Sequence, residues 1–299
     1  MNHRAPFRAL ALAALLSTAT VPLLAQDRSA SGHLLNWTNP ISVESDSLDH
    51  GSRTLPAHSF MVHEADPGTA MSTLRSVFSD QGAKFSGSDP VRATVMVPEI
   101  PGVPVLLIAT AEKDRAAGGT RMRVTYAAND STAMEDVRHA AHAMAIQLNR
   151  AIVQQQIDAQ QKIVDKAGSK LESAQSDQAK AQKKASSAAS DLEKAKKEKS
   201  KLADKQARLQ KEQQRAQERY NTSQAPKDLE KLTKVQGQLV KVQQDLSKQL
   251  KKEADAQKAA NKRQDEIPDA QKEQQEHQVS KEQAVSELEA LKRKLEAIR

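Results

Sequence analysis

Apolar residues recur every seven positions through the second half of the chain. When position a is counted from Ile157, the a positions include Leu192, and the d positions are mostly alanine. Apolar a and d positions sustained over about nine heptads predict a coiled coil. The apolar seam residues before the polar segment NTSQAP are Ile157, Val164, Leu171, Leu192, Leu202 and Leu209. Those after it are Leu232, Leu239, Leu246, Ala256, Ile267, Leu288, Leu291 and Leu295.

The two halves of this pattern match when the chain folds back at NTSQAP. Antiparallel pairing about Gln224 places Leu192 opposite Ala256. In this register the a positions of one helix meet the d positions of the other along the whole seam. We therefore expect residues 151–299 to form a long antiparallel α-helical coiled-coil hairpin that turns at 221–227.

Two other structures are compatible with this composition. A parallel rod of several chains would bury the same seam between copies, and a disordered polyampholyte would not bury it. Pro268 lacks a backbone N–H, so we expect it to kink helix two or divide it into helices at about 228–266 and 269–298. The hairpin register also predicts that Arg299 returns beside Asn149.

Residues 55–150 show the shorter periods of a mixed domain. The run AHSFMVHE has the pattern of a strand, and Asp66 and Pro67 begin a helical pattern that ends near Gly82. Three strand-like runs and a second helix from about residue 131 follow. The order β-α-β-β-β-α predicts an α+β fold, a small sandwich with two helices on one face of an antiparallel sheet.

The segments around this domain carry weaker signals. Residues 26–54 are polar, and we expect only a short edge strand at 41–45. Asp130 or Ser131 is expected to cap the second helix. The glycine-rich segment RAAGG is expected to form a hairpin turn.

Residues 1–25 resemble a secretory signal peptide. MNHRAPFR is basic, the following run is apolar, and Ala25 is a small residue that suits cleavage. The alternative is a membrane anchor, which would need about 20 apolar residues, and this run contains Ser, Thr and Pro22. We therefore expect a periplasmic or secreted protein with no transmembrane segment after cleavage.

The formal net charge of +7 is concentrated in the predicted coiled coil. Residues 151–299 carry 32 basic and 24 acidic side chains, a surplus that favours contact with an anionic envelope surface. We expect no nucleic-acid partner, because the charges alternate in sign and the segment offers no aromatic surface for base stacking. The chain has no cysteine, which excludes disulfides, thiolate metal sites and a cysteine nucleophile.

Four histidines of the mixed domain are the candidate metal ligands. His139 and His142 are three residues apart on one predicted helix face, and His58 and His63 lie on the first predicted strand. Such a cluster would suit zinc. Histidines without a carboxylate or third ligand are more often surface or core residues, so we expect no metal and no cofactor. HExxH, G-x-S-x-G and a phosphate-binding glycine loop are absent from the sequence, and we expect no enzymatic activity.

Several short stretches carry a resemblance to a known family. They are SDSLDHGSRT, FMVHEADPGTAMSTLRSVFSDQGAKF, VPEIPGVP and the final LEALKRKLEAIR. With them the chain resembles an uncharacterised family of exported proteins from Bacteroidota. The resemblance implies an N-terminal α+β domain, a C-terminal coiled coil and export, and it implies no activity.

The favoured functional hypothesis is a non-enzymatic exported cell-envelope protein. Its coiled coil would act as a scaffold or partner-binding arm, and the α+β domain would be a recognition head. A protein partner or self-association would follow. The alternatives are a periplasmic holdase-type chaperone for outer-membrane proteins, an activator of cell-wall hydrolases, and an enzyme whose active site lies in the α+β domain.

Overall fold

The computed structural model describes residues 28–29, 32–79, 82–100, 102–129 and 132–299. The predicted signal peptide lies outside the described residues. The chain divides into two units. We call Met1–Val153 together with Arg293–Arg299 the head, and Gln154–Lys292 the hairpin.

The head contains a seven-stranded antiparallel sheet. Its order is β1-β2-β6-β5-β4-β3, and β7 pairs with β6. The strands are β1 (Val43–His50), β2 (Arg53–His63), β3 (Phe85–Ser86), β4 (Val91–Val95), β5 (Val105–Asp114), β6 (Gly119–Asn129) and β7 (Thr132–Ala133). The helices are α1 (Pro67–Ser79), α2 (Arg138–Ser223) and α3 (Pro226–Ala297).

One face of the sheet is covered by α1 and the first turns of α2. Phe60 of β2 and Tyr126 of β6 are buried in the same core as Leu74 of α1 and Leu148 of α2. Successive strand residues point to opposite faces of the sheet, so every second residue of a strand faces this core. The predicted α+β class and the long helical hairpin are both confirmed.

Strand β1 is longer than the expected edge strand at 41–45. It pairs Val43 with Phe60 and continues to His50, so it lies within the segment that we placed outside the domain that starts at residue 55. Strand β1 lies at the edge of the sheet, and only Val43 and Leu48 of its side chains are buried, so most of the sequence VESDSLDH is polar. It therefore lacked the apolar alternation that marks a strand.

Helix α2 begins at Arg138, later than the expected start near residue 131. Thr132–Ala133 first pairs with β6, and Asp136 then adopts a left-handed φ of 58° that redirects the chain into the helix. The expected caps, Asp130 and Ser131, lie outside the described residues.

The expected turn at RAAGG is confirmed between β5 and β6. Asp114 accepts the backbone N–H groups of Ala116 and Ala117 at 3.1 and 3.0 Å, and Gly118 has a φ of 66°. Gly119 lies against β2, where an added Cβ would be 2.6 Å from the carbonyl oxygen of Val62. Only glycine allows this approach of the two backbones.

In the hairpin, α2 and α3 extend further into the expected 221–227 turn than we predicted. Only Gln224 and Ala225 separate them, and Gln224 has a φ of 51°. Asp228 accepts the Ser223 hydroxyl at 2.6 Å. Pro226 begins α3, a position that suits proline because the first N–H groups of a helix have no helical partner.

The seam residues lie on the covered sides of the two helices. Buried residues are Ile157, Leu171, Leu192, Leu209, Leu232, Leu239, Leu288 and Leu291. Half-buried residues are Val164, Leu202, Leu246, Ala256, Ile267 and Leu295. Leu209 packs with Leu239 in one apolar cluster, which is the pairing of an antiparallel register about Gln224.

Helix α3 is not divided at Pro268, because it runs from Pro226 to Ala297 without interruption. Proline removes the hydrogen bond to the carbonyl four residues earlier, which here belongs to Gln264. Both residues are exposed, so water can satisfy that carbonyl. The cost is a lost hydrogen bond rather than a lost helix.

Candidate functional site

A buried ion pair joins three distant segments of the head. The Lys294 ammonium is 2.6 Å from Glu64 Oε1 and donates to the carbonyl of Leu34 at 2.7 Å. The second Glu64 oxygen accepts the Leu34 N–H at 3.3 Å. Glu64 itself has a left-handed φ of 57°, a conformation that costs energy for a residue with a Cβ. The pair holds the end of α3 against the end of β2 and the loop around Leu34.

A second polar group within the head lies at Asn149 of α2. Asn149 is 1% exposed; its Oδ1 accepts the His63 N–H at 2.9 Å and its Nδ2 donates to the Met61 carbonyl at 2.9 Å. The next residue, Arg150, donates to the Ile298 carbonyl at 3.1 Å. The predicted return of the chain end to Asn149 therefore agrees with these contacts.

A cleft of about 630 Å³ opens beside this ion pair. Its walls come from the loop around Leu34, from the end of β2 and from the β5–β6 turn. The charged and aromatic-ring side chains that line it are Arg28, His33, His63, Glu64, Asp66, Lys113, Asp114 and Arg115. The cleft falls in the size range of small-ligand and peptide-side-chain sites.

The carboxylates of the cleft are already used by the chain. Asp66 accepts the backbone N–H of Thr69 at 3.0 Å, and this bond and the Thr69 hydroxyl keep the pKa of Asp66 below its ordinary value. The backbone N–H of Ala117, followed by Arg121, lowers the pKa of Asp114 in the same way. Glu64 holds Lys294. These acids therefore act as structural acceptors.

The cations of the cleft are less committed. Arg28 donates to the Gly32 carbonyl at 3.0 Å. Lys113 and Arg115 are exposed, and neither has a carboxylate within 4.0 Å among the described residues. The groups that remain available to a ligand are thus mainly positive, which suits an anion such as a carboxylate.

His63 lines the cleft with one ring nitrogen buried. Its ring meets Trp37 edge to face, with centroids 5.4 Å apart. Its Nε2 is buried and has no hydrogen-bond partner among the described residues. Burial lowers the pKa of His63, so the ring is neutral near pH 7.

The structure does not bring the four candidate metal ligands together at one site. His139 contacts the Glu99 carbonyl at 3.0 Å and lines a shallow pocket with His142. His63 lies in the cleft, and His58 has its pKa lowered first by burial and then by the charge of Arg138. Within the described ranges, no three His, Asp or Glu side chains are grouped to hold a metal ion.

Polar contacts cross the seam of the hairpin at three levels, and at the first of them Gln160 Nε2 also donates to Glu287 at 3.3 Å. Gln160 Nε2 donates to the Ala284 carbonyl at 3.0 Å, and Gln249 Nε2 donates to the Ala195 carbonyl at 3.0 Å. The Lys199 ammonium is 2.6 Å from Glu253. The apolar pattern of the seam did not reveal these polar residues. Their positions within the heptad were the available signal, because a polar residue at a or d must find a partner across the seam.

Comparison with known proteins leaves the family open. No family model matches the sequence, and no curated protein matches it significantly. Among the described residues, no helix is both long and apolar enough to cross a membrane.

Proposed function

We propose that this chain is a non-enzymatic exported cell-envelope protein. The hairpin serves as a scaffold or partner-binding arm, and the head recognises an anionic segment of a partner protein in the cleft beside Glu64. Export follows from the signal-peptide pattern of residues 1–25 and from the resemblance to exported proteins.

The self-contained seam supports the scaffold role. The fourteen seam residues lie on covered sides of α2 and α3, and Leu209 packs on Leu239 within one chain. Gln160, Gln249 and Lys199 also find their seam partners within the chain. A helix pair that satisfies its own seam needs no second copy to fold.

The recognition role rests on a charge imbalance in the cleft, where the acids have partners within the chain and two cations do not. Its three carboxylates hold backbone N–H groups, Arg121 or Lys294, whereas Lys113 and Arg115 face solvent without an acidic partner in the described chain. A carboxylate of a ligand would form ion pairs with these two cations. Asp66 and Asp114 are hydrogen-bonded and have lowered pKa values, so they are poor proton carriers, which favours binding over catalysis.

Site-specific photo-crosslinking tests this proposal. A photoreactive amino acid replaces Lys113 in the full chain, and a matched chain carries it at Arg53, which is exposed and outside the cleft. In producing cells we expect a discrete protein adduct from position 113 alone. Adding Arg115→Gln should reduce that adduct at least about tenfold, because truncating one member of an interfacial charge pair weakens binding strongly.

Equal adducts from positions 113 and 53, or none from position 113, would contradict the recognition role. The chaperone and hydrolase-activator hypotheses remain predictions that this experiment also addresses. A holdase would give many adducts of different mass instead of one.

A further inference from the structure

The hairpin carries a basic groove next to its turn. The groove has a volume of about 760 Å³ and is bounded by both helices. We call it the turn groove. Six cations line it: Arg208, Lys211, Arg215 and Arg219 from α2, and Lys231 and Lys234 from α3. Two acidic residues, Glu212 and Asp228, also line it.

The four cations of α2 form one stripe. They are separated by three, four and four residues, the spacing that places side chains on one face of a helix. All six turn-groove cations are exposed. Because Lys231 and Lys234 approach from the facing helix, the positive charges border the groove from both sides.

Few of these cations have an acidic partner within the hairpin. In the turn groove only Lys231 has an acidic neighbour, Asp228 at 3.8 Å. Among the described residues the other five have no carboxylate within 4.0 Å.

The acidic residues of the groove do little to reduce this charge. Asp228 accepts the Ser223 hydroxyl at 2.6 Å and faces Lys231, so it is occupied by the turn itself. Glu212 is one exposed acid among six bases. The six cations and two acids that line the groove therefore leave it with a net positive charge, which attracts anions.

We propose that the turn groove docks the hairpin onto an anionic lipid bilayer, with lipid headgroup phosphates between its arginine and lysine side chains. Arginine and lysine both bind phosphate through charge-assisted hydrogen bonds. Each basic residue near an anionic membrane adds to the attraction. Leu229, in the first turn of α3, is 45% exposed and supplies an apolar side chain at the same end of the hairpin.

Charge complementarity selects an anionic partner, and two observations favour lipid over nucleic acid. Tyr220 is the only aromatic residue in the hairpin and it is half-buried, so the groove has no platform for stacking bases. The signal-peptide pattern also directs the chain towards the envelope, where anionic lipid headgroups are abundant. The inference goes beyond the proposed function, since it uses no residue of the head cleft.

Vesicle co-sedimentation with the full chain tests the docking. The probes are vesicles of phosphatidylcholine and vesicles of equal parts phosphatidylcholine and phosphatidylglycerol. The test variant neutralises the α2 stripe as Arg208→Gln, Lys211→Gln, Arg215→Gln and Arg219→Gln. The matched control removes the same number of exposed charges elsewhere as Lys170→Gln, Lys183→Gln, Lys251→Gln and Lys258→Gln.

We expect the chain to bind the anionic vesicles preferentially, and the stripe variant to bind them at least about tenfold more weakly than the matched control. Raising the salt from about 0.1 to 0.5 M should weaken binding, because screening shortens the range of the attraction. Far-UV circular dichroism checks that both variants keep their helices. Lys231→Gln with Lys234→Gln, on the other wall, should reduce binding independently.

Equal loss in the stripe variant and the matched control would overturn the proposal, as would equal binding to both vesicle types. Tighter binding to duplex DNA or RNA than to anionic vesicles, sensitive to the same stripe, would replace lipid by nucleic acid and overturn the assignment. The cleft variant Lys113→Gln with Arg115→Gln should bind vesicles normally. The docking and the proposed head function can therefore fail separately.

Discussion

Lys294 and Glu64 are 230 residues apart in the chain, and the Lys294 ammonium lies 2.6 Å from Glu64 Oε1. The Lys294 side chain is fully buried and that of Glu64 is 16% exposed. A buried ammonium must have partners, because leaving water costs several kcal/mol for an unpaired ion. Glu64 and the Leu34 carbonyl meet this need, and the last turn of α3 thereby becomes part of the head.

Breaking this ion pair should destabilise the head. Lys294→Met leaves the Glu64 carboxylate without its ammonium in a buried site, and we expect a loss of about 3 kcal/mol in the free energy of unfolding. Trp37 is the only tryptophan and contacts His63 in the head, so its fluorescence during urea unfolding reports on this unit.

The exposed neighbour Lys292 supplies the control for the ion pair, and Lys292→Met should change stability by less than about 0.5 kcal/mol. Adding Glu64→Gln to Lys294→Met should restore part of the loss, because it removes the unpaired charge. Strictly additive effects of the two changes would argue against a direct interaction.

Gly119 tests the close contact between β2 and β6. Gly119→Ala would place a Cβ 2.6 Å from the Val62 carbonyl oxygen, and backbone cannot move aside as a flexible side chain can. We expect a loss of about 1–3 kcal/mol by urea unfolding. Gly237→Ala, in α3 with no atom within 4 Å of the new Cβ, should instead stabilise the hairpin by about 0.5–1 kcal/mol. Opposite signs for the two changes are the diagnostic result.

The head should lose stability as the pH falls below neutral. Burial lowers the pKa of His58 and of His63 below the ordinary value of 6.5, so the unfolded chain binds more protons than the folded head in that range. The stabilising effect is complete above about pH 6.5 and is lost as the pH falls through the folded pKa values.

Urea midpoints between pH 8 and 5, followed by Trp37 fluorescence, measure this dependence. His58→Gln should flatten the decline, whereas His142→Gln, at an exposed position, should leave it as in the unchanged chain. An unchanged slope in His58→Gln would show that this histidine does not contribute.

Pro268 lies within a continuous helix, so its replacement should stabilise the hairpin. Pro268→Ala restores the hydrogen bond to the Gln264 carbonyl, and we expect a gain of up to about 3 kcal/mol. Thermal melts followed by circular dichroism measure it, with Asp269→Ala as an exposed control. A gain no larger than that of the control would indicate that the helix is interrupted at this proline.

The hairpin was predictable because one period governs it. A two-helix seam repeats every 3.5 residues, so Leu209 and Leu239 could be paired from their positions alone. The continuity at Pro268 was not predictable, because a helix tolerates proline when the freed carbonyl reaches water, and exposure there depends on how the helices pack.

The head was predictable in class and less so in detail. The alternation of apolar and polar residues predicted the core strands, whereas the polar edge strand β1 has no such pattern. Lys294 looked like one more charged residue in KRKLEAIR, since sequence does not show that its side chain turns inward to meet Glu64. Contacts between residues far apart in the chain leave no local signature, and the cleft lined by Lys113 and Arg115 was missed for the same reason.

The central claim is that the alanine-rich helices α2 and α3 pack antiparallel to each other within one chain, with the turn at Gln224. Oxidation of the full chain carrying Leu192→Cys and Ala256→Cys tests it most directly, since the chain has no other cysteine. Leu192→Cys with Leu232→Cys is the control, because Leu232 lies about 24 residues, or roughly 36 Å, from the residue that faces position 192. We predict a disulfide within single chains for the first pair and none for the control. Disulfides formed only between chains, at a yield that rises with protein concentration, would contradict the account.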